Sequence, residues 1–127
     1  MIAASRYSQT QRETASKERL MVLLFERALR DIREGTAAIE ARRSLEAAQA
    51  LTHASDIVTE LHATLDRNQS PELCDYLSDV YRFVMLRLTQ ASLKLDAALA
   101  REAERAFVPV VEAFQTAVSQ ATTGAPR

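Results

Sequence analysis

Two glycines and three prolines are all the backbone punctuation this chain carries, and Gly35 is the only one of the five that precedes Pro71. A sandwich or barrel needs turn residues about every 8–12 positions. The scarcity therefore argues against an all-β fold and for long uninterrupted helices. Apolar residues recur at helical spacing in four stretches. The first is Leu20, Leu24, Ala28, Ile32 and Ile39, opening after hydroxyl caps at Thr14 or Ser16 and running to about Ala41. Gly35 is expected to weaken it by about 1 kcal/mol relative to alanine.

The second stretch, with Ser44 as its cap, presents Leu45, Ala48, Leu51, Ala54, Val58, Leu61 and Leu65. A polar break at Asp66–Ser70 follows. Ser70-Pro71-Glu72 then sets a cap, a first-turn proline and an acid at the start of the third stretch, which carries Leu73, Leu77, Val80, Tyr81, Val84, Leu88 and Ala91. Asp96 is placed to cap the fourth, where Leu99, Ala103, Ala106, Phe107, Val110, Val111, Phe114 and Val118 recur and Pro109 is expected to kink or split the helix. The pattern predicts an all-α, antiparallel up-and-down four-helix bundle over residues 14–121. Residues 1–13 read as a mobile N-terminal arm or a short, weakly held helix, and residues 122–127 as a disordered tail.

Sixteen basic and seventeen acidic residues leave a net charge of −1, so no overall positive field draws the chain to nucleic acid or anionic lipid. No apolar run approaches the roughly 18 residues of a membrane span, and the polar start lacks the core of a signal peptide. With one cysteine, Cys74, no internal disulfide can form, and a reducing, cytoplasmic location fits. Cys74 lies by the third apolar stripe and is expected to pack there.

No acidic residue stands three positions before His53 or His62, so the Glu-x-x-His pairs of a di-metal bundle are missing, and no metal or other cofactor is expected. Either histidine is a nominal phosphoryl acceptor of a phosphotransfer bundle, yet Asp56 and Asp66 nearby in sequence would repel phosphate. No glycine-rich phosphate loop exists. A nucleotide-binding enzyme is thus not supported.

The anomaly is a surplus of apolar residues. Leu20-Met21-Val22-Leu23-Leu24-Phe25 circle the whole helix, and Tyr76, Phe83, Met85 and Leu86 lie off or beside the third stripe. Such a surplus serves a helix buried on several sides, a homodimer seam, or a groove for an amphipathic partner.

These residues resemble the bacterial flagellar secretion chaperone FliS family from about Tyr7 to Phe114. The matching positions are Tyr7, Thr14-Ala15-Ser16, Leu24-Phe25-Glu26-Arg27-Ala28-Leu29, Ala54-Ser55-Asp56-Ile57-Val58, Leu61, Leu65-Asp66, Leu77, Val80-Tyr81-Arg82-Phe83-Val84, Arg87-Leu88 and Ala91-Ser92. Lys17, Arg27, Ser92 and Phe114 stand where the family pattern has proline, glycine, asparagine and tryptophan, and the loop glycines before the third helix are absent. The resemblance implies a non-enzymatic, cytoplasmic export chaperone. Its partners would be the disordered C-terminal segment of flagellin and the export gate protein of the flagellar secretion apparatus. It implies that Met21, Val22, Phe25, Leu29, Tyr81, Met85 and Leu88 contact the partner. Tyr7 matches a residue linked to handover and to covering the empty groove, with simple stapling of the arm as its alternative. Asp56 and Arg87 would hold polar or orienting positions, with an interhelical ion pair between them as the other option.

Overall fold

A computed structural model describes the backbone of residues 2–123 and the side chains of residues 6, 8–14 and 16–121. It contains four helices, α1 (Ile2–Glu40), α2 (Ser44–Ala63), α3 (Pro71–Lys94) and α4 (Ala97–Thr123), and no strand among the described residues. Contacts run α1 to α2, α2 to α3, α3 to α4 and α4 back to α1, which closes a four-membered ring. Cross-helix pairs show the direction of each neighbour. Asp31 meets His53 while Gly35 meets Leu51, Thr59 meets Met85 while His62 meets Ser78, and Glu26, Arg33 and Glu40 meet Gln115, Glu104 and Arg101. In each set one number rises as the other falls, so neighbours are antiparallel and the bundle is up-and-down.

The core is built from the expected stripes: Phe25, Ala28 and Ile32 of α1, Leu51, Val58 and Leu61 of α2, Tyr81, Val84 and Leu88 of α3, and Ala103, Phe107 and Val111 of α4. Cys74 is buried as expected. Three stripe members, Leu20, Leu45 and Leu73, are exposed instead, because they sit where a helix extends past the neighbour that would have covered them.

The helix ends depart from the expected caps. Thr14 and Ser16 lie inside α1, which starts at Ile2. No proline or glycine interrupts this segment, and the Thr10 and Thr14 hydroxyls donate to the carbonyls of Arg6 and Thr10, 2.9 and 3.0 Å away, so they are satisfied within the helix and do not cap it. With Glu26 level with Gln115, residues before about 18 extend past the last turn of α4 by roughly 24 Å at 1.5 Å per residue. The segment expected as a mobile arm or a short, weakly held helix is thus helical and continuous with α1; the side chain of Tyr7 lies outside the described residues. Ser44 is the first residue of α2 and Arg43 its cap, with no side-chain capping bond. Asp96 does cap α4, accepting from the Ala98 amide at 2.9 Å. Pro109 lies within α4 without splitting it, and since Pro109 and Arg105 are both exposed, water can reach the carbonyl the proline leaves unpaired. Thr122 and Thr123, expected in the tail, end α4, and residues 124–127 lie outside the described residues.

Gly35 has a use that periodicity does not reveal. A Cβ there would stand 2.7 Å from Cγ of Leu51, a fully buried side chain, so the glycine lets α1 and α2 approach closely. Gly35→Ala should therefore lower stability by about 1–2 kcal/mol in urea unfolding, overpacking outweighing the gain in helix propensity. In a Leu51→Ala background the same change should cost much less, because the obstructing atoms are gone.

Candidate functional site

At the end of the bundle where α2 stops and α3 starts, the ring does not close on itself. Met21 and Phe25 of α1, Leu65 of the α2–α3 connection, Leu73, Tyr76, Leu77 and Tyr81 of α3, and Val110, Ala113, Phe114 and Ala117 of α4 surround a cavity of about 480 Å³. Among the described residues Asp66 is the only charged one in its wall. Alanines on α4 leave the space that larger residues would fill. A wider depression lined by the polar residues Gln9, Arg12, Glu13, Ser16 and Lys17 has a single wall, α1, so it encloses nothing.

Phe25 joins this cavity to the core. Its ring lies 5.8 Å from that of buried Phe107 and 4.9 Å from that of half-buried Phe114, both tilted contacts. Tyr81 lines the cavity from the core side, and burial pushes its phenol up to about 12. Of the residues implied by the resemblance, Met21, Phe25 and Tyr81 are thus brought together here.

The others lie elsewhere. Met85 faces α2, its Sδ accepting from the Thr59 hydroxyl at 3.3 Å. Leu88 is buried in the core, while Val22 and Leu29 are half-buried on α1 outside the cavity wall. The Asp56–Arg87 pair is not formed. Asp56 is exposed on α2, beside His53, whereas Arg87 turns to α4. Arg87 donates to Gln90 Oε1 at 2.7 Å, sits 3.8 Å from Glu102 and lies 4.8 Å over the Phe83 ring. Leu65, Leu73, Leu77, Val110 and Phe114 belong by their spacing to the apolar stripes, whereas Met21, Phe25 and Tyr76 belong to the apolar surplus.

The histidines are structural. His53 Nδ1 bonds to the buried carboxylate of Asp31, which Arg27 approaches on its other oxygen at 3.2 Å, so the acid facing the imidazole comes from α1. His62 Nε2 is 2.8 Å from Ser78 Oγ, and its ring meets Tyr81 edge-on. Among the described residues no three His, Cys, Asp or Glu side chains gather to hold a metal, and no helix is long and apolar enough to cross a membrane.

The buried phenol has a pH consequence. In the unfolded chain Tyr81 ionises near its ordinary value of 10.0, but in the bundle only near 12, so the neutral form favours folding. Its contribution is complete below pH 10 and lost as pH rises through 12. Tyr81→Phe should flatten the fall in denaturant midpoint across that alkaline interval.

Comparison with known proteins bears on the whole chain. The model of the family described as "Flagellar protein FliS" matches residues 1–121. The flagellar secretion chaperone FliS of Bacillus subtilis (strain 168) is 30% identical over 112 residues, which is 88% of this chain and 83% of that protein. These matches span all four helices and the cavity between them, and the chain belongs to the non-enzymatic FliS family of flagellar secretion chaperones.

Proposed function

We propose that this chain is a cytoplasmic export chaperone that seats apolar residues of the disordered C-terminal segment of flagellin in the cavity between α1, α3 and α4. Binding there keeps the segment from polymerising before export, and the complex is delivered to the gate of the flagellar export apparatus. The observation that carries this proposal is a cavity with an almost uncharged, apolar wall, open at one end of an otherwise well-packed bundle. Flagellin's terminal segments assemble by helix packing, and a chaperone that covers the same apolar surface blocks that assembly without chemistry. The segment must order itself to bind, which offsets part of the contact energy and keeps release accessible.

The wall supplies suitable anchors. Tyr76 and half-buried Phe114 offer aromatic faces, backed by buried Phe25 and Tyr81, and Met21 supplies an adaptable side chain. Buried apolar area stabilises such a complex by about 25 cal/mol per Å² before ordering costs. Phe25 is a poor choice for a test, because a charge there would break the core. Leu73 and Tyr76 are 53% and 57% exposed, so Leu73→Glu and Tyr76→Glu should leave the bundle folded. Each is expected to weaken binding of a flagellin C-terminal peptide about 30-fold in calorimetry, as loss of an interface anchor does. Unchanged affinity in both variants would refute the assignment of the cavity.

A further inference from the structure

The cavity wall is polar at its rim and at one point inside. At the rim Thr64, Asp66 and Gln69 are exposed to water, and the Thr64 hydroxyl donates to the Leu61 carbonyl at 2.7 Å. Inside, the buried wall residues are Phe25, Cys74, Tyr81 and Val110, and of these Tyr81 alone brings a hydroxyl. Its side chain is 2% exposed.

That hydroxyl makes no hydrogen bond among the described residues. His62, whose ring meets Tyr81 edge-on, is bonded to Ser78 instead. Nor is the hydroxyl sealed from water, since among the described residues the sealed side-chain polar atom without a partner is Nε of Arg87. The opening that Tyr81 lines is the cavity, so the hydroxyl is reached from there. Burial by itself pushes the phenol up to about 12, and at neutral pH it remains protonated and able to donate.

While the cavity is empty, water can serve this donor. A cargo side chain that fills the space displaces the water, and a purely apolar occupant would strand the hydroxyl, the costly case for a buried polar group. Phenylalanine would build the same wall without that penalty. A segment that orders as a helix keeps its backbone carbonyls for its own ladder, so the acceptor that reaches the phenol comes from a side chain. Asp66, the one charge in the wall among the described residues, is negative and repels a carboxylate, and a single phenol does not offset burying one. A neutral amide or hydroxyl oxygen remains.

We infer that Tyr81 determines specificity, its hydroxyl donating a hydrogen bond to the side-chain oxygen of an Asn, Gln, Ser or Thr that the cargo carries among its apolar anchors. The inference rests on the cavity being the flagellin site. It makes that site a reader of sequence. A buried hydrogen-bonding group rejects a ligand lacking its complement far more sharply than an apolar pocket separates ligands by size.

Calorimetry of the full chain and its Tyr81→Phe variant with a flagellin C-terminal peptide tests the inference. Tyr81→Phe should bind about tenfold more weakly. Its urea midpoint at neutral pH should be unchanged or higher, because in the empty bundle the hydroxyl has no bond to lose. A lowered midpoint assigns the hydroxyl to the fold and overturns the inference. Peptides in which each Asn, Gln, Ser and Thr is replaced in turn by Ala locate the acceptor. One replacement should cost the parent chain about tenfold and Tyr81→Phe almost nothing. Equal affinity of the two chains for the parent peptide overturns the inference, and so does a loss coupled to no peptide position. If Leu73→Glu and Tyr76→Glu weaken binding while Tyr81→Phe does not, the cavity holds the cargo and only the role of the hydroxyl falls. If all three bind as the parent does, the cavity and the hydroxyl fall together.

Discussion

A helix in a four-membered ring has two neighbours, a core and one side for water, and α3 carries apolar residues toward all of them. That excess is the constraint on which the rest depends. A bundle buries a stripe of three or four residues per two turns. On α3 the stripe from Cys74 to Ala91 satisfies this, yet Leu73, Tyr76, Phe83, Leu86 and Leu93 remain in solvent. α1 repeats the pattern more briefly, with Phe25 buried and Leu20 and Leu23 exposed. Such surface costs solubility, and a protein that keeps it has something to cover it with.

Phe25 explains how an open cavity coexists with a tight core. Its ring touches Phe107, which is fully buried, and Phe114, which is not. One side chain is therefore both the last member of the core and the first wall of the cavity. The wall is backed by the core, so under the proposed function an incoming side chain would meet a preformed surface and little ordering cost would fall on the chaperone. The polar seams keep this arrangement in register. Asp31 is buried and must keep a partner, since an uncompensated buried carboxylate costs several kcal/mol. Arg27 from its own helix and His53 from α2 both reach it, tying α1 to α2 on the flank away from α4.

Helix number, order and core were legible from periodicity, because each apolar stripe matched a buried face. The surplus on α1 and α3 was equally visible, since six consecutive apolar residues cannot share one side of a helix. What periodicity does not contain is where helices end relative to one another. Leu73 and Leu77 carry the same spacing as Val84 and Leu88, but they sit where α2 has stopped, so they line a cavity where the others fill a core. For the same reason Leu88, a matched position, is unavailable to a partner, while Ala113 and Ala117, which look like filler, create the space. Gly35 looked like a defect because its spacing shows only helix propensity, and its contact lies on another helix.

The positions at which this chain departs from the family pattern fall mostly outside the cavity. Lys17 is on the part of α1 that outruns α4, Arg27 is exposed and committed to Asp31, and Ser92 borders a shallow depression between α2 and α3. Phe114, in the place of a tryptophan, is in the wall, as are Asp66, Gln69 and Ser70 of the connection that lacks the family's glycines. A phenyl ring occupies less volume than an indole and donates no hydrogen bond. At that point the cavity is roomier and its wall apolar, so a cargo segment seated there as proposed would be held by shape and buried area, with no indole N–H to direct a polar group.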